Sequence, residues 1–239
     1  MERRTLARVE PPHTQWQLSA EDADPGDDLV GVGADLAPGT VLAAYRAGLF
    51  PMHLRDDNDD ELLGWWSPDP RGVLPLDGVR ITRSLKQSMR RFRVTTDHAF
   101  QEVMQACADQ DRSGRWITPQ FLTTYVHLHE LGWAHSVEVW SGDGSLVGGL
   151  YGIEVGGLFA GESMFHTERD ASKVALVGLV RHLNSAPDPD RLLDVQWQTD
   201  HLATLGVIEV PRLEYFDRLK TAVQLPPVFV VPEVLWEPH

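Results

Sequence analysis

With 239 residues, 42% of them hydrophobic and 23% charged, the chain has ample length for a globular core, and its net charge of −14 opposes nonspecific adhesion to nucleic acid or anionic membrane. One cysteine, Cys107, excludes an intrachain disulfide framework and fits a reducing compartment. The opening stretch Met1–Trp16 lacks the apolar run of a secretory signal, and no segment approaches the roughly 20 apolar residues of a membrane helix, so a cytoplasmic protein without membrane contact is expected.

In chain order, EDADPGDD at 21–28 reads as an exposed acidic loop. Thr40 is placed to cap a helix, VLAAYRAGLF, that Pro51 stops, with Val41, Leu42 and Tyr45 on one face. The like-charge block DDNDDE at 56–61 should be solvated, and it marks the expected boundary between a small N-terminal domain, 1–62, and a main domain, 63–239. WWSPDPR, Trp65 to Arg71, is rigid and non-helical, because the residue before a proline is pushed out of the helical region. On an extended chain Trp65 and Trp66 face opposite ways, so one of them should face a cleft. Next, VRITRSLKQSMRRFR at 79–93 holds Arg80, Arg83, Lys86, Arg90, Arg91 and Arg93 with no acid among them. At helical spacing Leu85, Met89 and Phe92 form one stripe and Arg83, Lys86 and Arg90 the opposite one. In so acidic a chain this is a local anion site, suited to a phosphate backbone.

Asp97 is expected to cap a helix carrying Phe100, Val103, Met104 and Cys107, and Thr118-Pro119 to start another that reaches about Glu130. Strands follow at 134–140 and, past the turn Gly142-Asp143-Gly144, over SLVGGLYGIEV. GGLFAGESMF at 156–165 reads as a strand with no polar face. Leu158, Ala160 and Met164 point one way and Phe159, Gly161 and Phe165 the other, with Glu162 between them. A helix over about 170–184, the apolar run LLDVQW at 192–197, a helix from Pro211 and an extended Pro-rich tail complete the chain. The pattern is mixed α/β (α+β), compatible among others with an N-acetyltransferase type of fold.

Glu162, Asp194 and Gln196 are the polar interruptions of these apolar strands. Burying a carboxylate costs on the order of several kcal/mol unless it is paired or faces a polar cleft. Glu162 is therefore either satisfied by a structural Arg or Lys or is a site carboxylate. Asp194 and Gln196, two apart, should share a strand face. No metal is expected: His127 and His129 face different ways on a helix, His135, His166 and His201 lack ligand spacing, and CxxC and HExxH are absent. Ser163 in GESMF is not a nucleophile elbow, and Cys107 sits where a buried structural thiol belongs. The loop HTERDASK after Phe165 lacks the glycines that would cradle a coenzyme A pyrophosphate. A polar trio in an apolar pocket beside a basic helix could activate an amine. A coenzyme A-dependent N-acyltransferase and a non-catalytic tRNA-binding protein are the alternatives.

GVGADL–AYRAGLFPM, WWSPDPRGVL, RSLKQS, WIT, HELGWAHSVEVW, LVGGLYG, LFAGESMF, ASKVAL, LLDVQ and H–LG stand in the order seen in leucyl/phenylalanyl-tRNA–protein transferases, which the chain resembles over roughly residues 30–220. The resemblance implies transfer of Leu or Phe, and less well Met, from aminoacyl-tRNA to proteins beginning with Arg or Lys, marking them for N-degron degradation. It also implies an N-acetyltransferase-like (GNAT-like) catalytic domain, a monomer, and no metal or organic cofactor. Asp194 and Gln196 match the family's DxQ pair, thought to make the acceptor amine nucleophilic, with Asp194 oriented through Gln196 and Glu162 holding the incoming ammonium. The amino-acid pocket would comprise Trp116, Tyr125, Leu150, Phe159, Ser163, Met164, Leu176 and Leu193. Arg83, Lys86, Arg90 and Arg91 match the tRNA-contacting cluster. Two departures are visible. Met52 stands where well-known members carry a Trp that stacks on the terminal adenosine, a role that falls to Trp65 or Trp66, and Leu150 replaces a Met in GMYG.

Overall fold

The computed structural model describes residues 8–55, 58–108 and 117–238. Pro38 occupies the first turn of α1 (Pro38–Arg46), so the helix begins before Thr40 rather than at it. The Thr40 hydroxyl instead donates to Asp35 Oδ1, 2.7 Å away. Gly48 at φ +78° ends the helix, and Phe50 begins a strand. Strands β1 (Leu29–Val32), β2 (Phe50–Arg55) and β3 (Glu61–Trp66) form a three-stranded antiparallel sheet in the order β1-β3-β2. The 62/63 boundary expected from the acidic run falls inside β3.

The second sheet has eight strands, in the order β10-β4-β9-β8-β7-β6-β5-β11. They are β4 (Arg71–Val73), β5 (Arg93–Thr96), β6 (Ala134–Trp140), β7 (Leu146–Val155), β8 (Leu158–His166), β9 (Leu192–Gln196), β10 (Ile208–Val210) and β11 (Glu233–Trp236). Every neighbouring pair is antiparallel except β8 and β9, which run parallel because α5 (Ala171–Leu183) crosses between them. The mixed sheet expected from the sequence is present.

Helices cover both faces. On one lie α1, α3 (Phe100–Cys107), α4 (Pro119–Glu130) and α7 (Arg212–Ala222), packed through Tyr45, Val103, Phe121 and Phe216 against Tyr151, Ile153 and Ala160. The same core takes in Trp65 of the small sheet. On the other lie α2 (Arg83–Met89), α5 and α6 (Asp200–Leu205), packed through Leu85, Leu176 and Leu205 against Leu150, Phe159 and Leu193. Asp97 does not cap α3, whose N-cap is Ala99; its carboxylate instead accepts from the Ser136 backbone and pairs with His135.

One buried carboxylate fastens the tail to the sheet. Glu154, at the end of β7, accepts from the backbone N–H of Val228 at 2.7 Å and of Phe229 at 3.3 Å, and pairs with Arg8. No described helix is long and apolar enough to cross a membrane.

Candidate active site

The two central strands pair only as far as Ala160↔Asp194. Beyond it β8 and β9 part, and a bulge marks the parting. Tyr151 faces Ser163 and Gly152 faces Gly161 across β7, so Glu162 is the extra residue. A bulge re-aims side chains, and it inverts the alternation that follows it. Met164 therefore lies on the face of Phe159 and Leu150, and Phe165 on the face of Leu158 and Ala160, the reverse of strict alternation. Gly152 must be glycine here, since a Cβ would lie 2.2 Å from the Ala160 carbonyl oxygen.

The Glu162 carboxylate is held by two phenols. Tyr45 of α1 donates to Oε1 at 2.6 Å and Tyr125 of α4 to Oε2 at 3.2 Å, while the two hydroxyls lie 2.7 Å apart. Burial, reinforced by the Glu162 charge, raises both phenol pKa values well above the ordinary range, which keeps them donors. Burial also pushes the Glu162 pKa up to about 7, aided by the nearby charge of Asp194 and opposed by the two tyrosine hydrogen bonds. The residue still keeps partial exposure, because it lines the two pockets described below.

Asp194 is fully buried and fully engaged. Arg71 of β4 grips it in bidentate fashion, Nε to Oδ1 at 2.9 Å and Nη2 to Oδ2 at 2.6 Å. The Tyr215 hydroxyl of α7 donates to Oδ2 at 2.9 Å, and the Gln196 backbone N–H donates to Oδ1 at 2.9 Å. That last bond braces a strained residue. Gln196 has φ +62°, and the Trp197 N–H closes a three-residue turn onto the Val195 carbonyl at 2.8 Å. The turn redirects the Gln196 side chain, so it does not simply share the Asp194 face. Its Nε2 is buried without a hydrogen-bond partner.

Glu162 and Gln196 form the wall between two pockets. One, of about 260 Å³, is apolar and lined by Leu150, Met164, Leu176, Leu179, Leu193 and Leu202, with Ser163 at its side. The other, of about 170 Å³, is lined by Phe50, Pro51, Met52 and Trp197. Of the residues expected in an amino-acid pocket, Leu150, Ser163, Met164, Leu176 and Leu193 are brought together. Tyr125 stands behind Glu162, and Phe159 is buried beneath, stacked on Phe229 at 5.4 Å. Trp116 lies outside the described residues. Leu179, Leu202, Tyr45, Arg71 and Tyr215 belong to the site although the sequence pattern does not mark them as site residues. Arg71 stands in the WWSPDPR stretch, and a buried Asp on β9 calls for a cation.

Arg83, Lys86, Arg90 and Arg91 are all exposed, on and just after α2, which is shorter than its charge pattern. Trp65 does not offer a stacking face: it is 2% exposed and its indole donates to Gly33 O at 2.9 Å. Trp66 is half-buried, donating to Met52 O at 3.1 Å and meeting Trp197 at 6.1 Å between ring centroids. Elsewhere, Asp97, His129 and His135 bring one potential ligand atom each within 4.8 Å of one another. His135 Nδ1 lies 2.8 Å from Asp97 Oδ2 and His129 Nδ1 lies 2.8 Å from the Ala134 carbonyl oxygen, while His135 Nε2 is buried without a hydrogen-bond partner.

Residues 73–220 match the leucyl/phenylalanyl-tRNA protein transferase family, and residues 34–69 match the N-terminal domain of that family. Among curated relatives, the leucyl/phenylalanyl-tRNA–protein transferase of Tolumonas auensis is 49% identical over 80% of each chain. The proteins of the same name from an Anaeromyxobacter species and from Magnetococcus marinus are 46% and 44% identical, over 84% and 88% of each chain. Two solved structures are remote. A conserved protein of unknown function from Bacteroides thetaiotaomicron has 14% identity and a TM-score of 0.38, covering 69% of this chain and 57% of that one. The C-terminal domain of a putative lysylphosphatidylglycerol synthetase from Agrobacterium fabrum has 13% identity and a TM-score of 0.36, covering 84% and 66%. With more than half of its length matched and relatives at this identity, the chain belongs to the leucyl/phenylalanyl-tRNA–protein transferase family.

Proposed function

We propose that this chain moves Leu or Phe, and less readily Met, from aminoacyl-tRNA to the N-terminal amine of proteins beginning with Arg or Lys, marking them for N-degron degradation. The observation that carries the reading is the wall shared by two pockets. An apolar cavity suited to the transferred side chain meets a second pocket at a carboxylate of pKa about 7 and an unpartnered amide.

The donor ester is already activated, so the chemistry reduces to positioning, proton transfer and exclusion of water. Glu162 takes a proton from the acceptor ammonium, whose own pKa lies at about 8. The freed amine attacks the ester carbonyl carbon, and Gln196 Nε2 donates to the oxygen on which charge develops. Collapse breaks the ester C–O bond. The second amine proton goes to the departing ribose oxygen and the first returns to solvent. Asp194, with both oxygens filled, acts as a positioning residue that fixes the Gln196 backbone and Arg71.

The basic residues of α2 are free to meet phosphates. Parallel strands that part in the middle of a mixed sheet favour the N-acetyltransferase-like reading of the catalytic part. The separate small sheet and the two family matches favour two units, divided after β3. A monomeric cytoplasmic enzyme completes the proposal.

Single-turnover transfer from charged tRNA to an Arg-starting peptide tests it. Leu and Phe should transfer, and Ile should transfer more slowly by roughly ten- to a hundred-fold, as an apolar pocket discriminates only partly. Binding of tRNA with no transfer from any donor would leave a binding protein.

A further inference from the structure

A cavity of about 380 Å³ lies at the far end of the two strands that carry the site. Arg71 and Gln196 stand where β4 begins and β9 ends, whereas this cavity is walled by Val73 and Leu74 as β4 runs out and by Leu192 and Leu193 as β9 starts. The Leu74 N–H donates to the Leu193 carbonyl at 2.9 Å and joins these two walls. The loop between α5 and β9 supplies another wall, and it is held in shape from within. Asp188 accepts twice, at Oδ1 from the Asp190 N–H at 3.0 Å and at its carbonyl from the Arg191 N–H at 3.2 Å. Asn184 Nδ2 donates across to the Leu76 carbonyl at 3.1 Å.

Arg191 marks the cavity as more than a gap. It lines the cavity and is only 7% exposed. Its guanidinium is fixed at two corners, Nε donating to the Ala186 carbonyl at 2.7 Å and Nη2 to the Pro226 carbonyl at 3.0 Å. The third nitrogen, Nη1, is buried without a hydrogen-bond partner. An unmet donor on a buried cation is costly, and in a cavity wall it calls for an acceptor. The charges around it come in both signs. Arg191 and Arg218 are set against Asp77 and Asp188, and Arg218 is shared with Glu214 of its own helix. A simple anion meets two carboxylates here and a simple cation meets two guanidinium groups, whereas a zwitterion finds a partner for each charge. The remaining walls are Leu74, Leu76, Pro187, Pro189 and Leu192, so the rest of the occupant is apolar. The volume sits at the small end of the roughly 300–1,000 Å³ typical of ligand cavities.

We infer that this cavity binds a free α-amino acid with an apolar side chain, its carboxylate on Arg191 and its ammonium between Asp77 and Asp188. Leu193 is common to this cavity and to the apolar pocket beside Glu162, and Val73 is the register partner of Asp194. The occupant therefore bears on the strands that hold the site without entering it. The inference concerns neither donor nor acceptor and stands apart from the transferase reading.

Calorimetry on the full chain tests it, with L-leucine as the probe and a saturating amide-linked phenylalanyl-adenosine present to fill the pocket beside Glu162. L-Leucine should still bind. Leucinamide, which lacks the carboxylate, and isocaproate, which lacks the ammonium, should each bind about ten-fold more weakly or worse. Arg191→Met should weaken L-leucine by roughly ten- to a hundred-fold. Asp77→Asn, at an exposed position, should weaken L-leucine and leave isocaproate unchanged. The comparison of the three ligands on the wild-type protein decides the matter even where Arg191→Met does not fold. Binding of L-leucine that the analogue abolishes, or that is indifferent to Arg191, would place it in the pocket beside Glu162 and overturn the inference. Isocaproate binding as tightly as L-leucine would overturn it too, leaving a plain carboxylate site, and so would no binding of L-leucine at all. An analogue that itself fails to bind would count against the transferase reading, while the Arg191 and Asp77 comparisons would still decide this one.

Discussion

At residue 162 a carboxylate shares two phenolic protons and a neighbourhood with a second carboxylate, and the two differ in what is left for a substrate. Asp194 has no free lone pair facing solvent, whereas Glu162 lines both pockets with a pKa at about 7. The kcat/KM for transfer should therefore rise as pH passes through about 7, where Glu162 ionises. Glu162→Gln should abolish that break, leaving only the titration of the acceptor amine, and lower the rate by roughly 10²–10⁴. The folded pKa of this acid is raised, so its contribution to stability is present at low pH and lost as pH rises from about 4.5 to about 7. Glu162→Gln should consequently be more stable than wild type at pH 8, by on the order of 1–3 kcal/mol, and equal to it at pH 4. Thermal melts at the two pH values check this. That Glu162, Asp194 and Gln196 are polar groups set into buried apolar strands was legible, and so was the expectation that they need partners, because charge in an apolar strand is expensive. Their partners were not, because Arg71, Tyr45, Tyr125 and Tyr215 arrive from segments far away in sequence, and only the fold says whose hydrogen bonds they fill.

Elements with strong periodicity and unambiguous punctuation were readable to within a residue or two. Thr118-Pro119 opens α4, and the helix between β8 and β9 runs over Ala171–Leu183. Short pairings such as β1, β4 and β10 escaped notice because three or four residues carry no period, and their partners are distant. The bulge at Glu162 escaped for another reason. One inserted residue leaves the composition of a strand untouched while exchanging the faces of everything after it. Gly152, opposite the bulge, has no room for a side chain, with the Ala160 carbonyl and the Phe159 ring at 2.2 and 2.5 Å from a Cβ. Gly152→Ala should cost about 1–3 kcal/mol by overpacking and should impair transfer more than its stability loss explains, since relief would push β8 and carry Glu162 with it. Denaturant melts paired with kinetics on the folded fraction make the comparison.

The molecule as a whole carries −14, and a polyanion must find a place where the field reverses. Arg83, Lys86, Arg90 and Arg91 are exposed together on one side of the sheet. Reversing Arg83 and Lys86 to Glu should weaken tRNA binding, most of all at low salt. It should also flatten the slope of log affinity against log salt by about one for every phosphate that is no longer neutralised. Transfer from phenylalanyl-adenosine should hardly change, as that donor has no stem to reach α2. Unchanged tRNA affinity and slope would reduce the helix to a solvated face. Composition was enough to locate this patch, but not to place it relative to the pockets.

The attachment of Glu154 to Val228 and Phe229 has a temporal meaning. A ribosome delivers β7 well before the tail, and the two partners of this carboxylate lie 74 and 75 residues downstream. Until they emerge, the growing chain holds an acid at the heart of its sheet with its backbone donors missing, and β5 keeps an open edge where β11 will add. The sheet therefore stays incomplete until this downstream segment has been made, and that segment acts as its keystone. A nascent chain stalled short of residue 228 should stay open to proteases, and one stalled far enough beyond residue 236 for β11 to emerge should resist them, a difference that limited proteolysis of stalled chains reads.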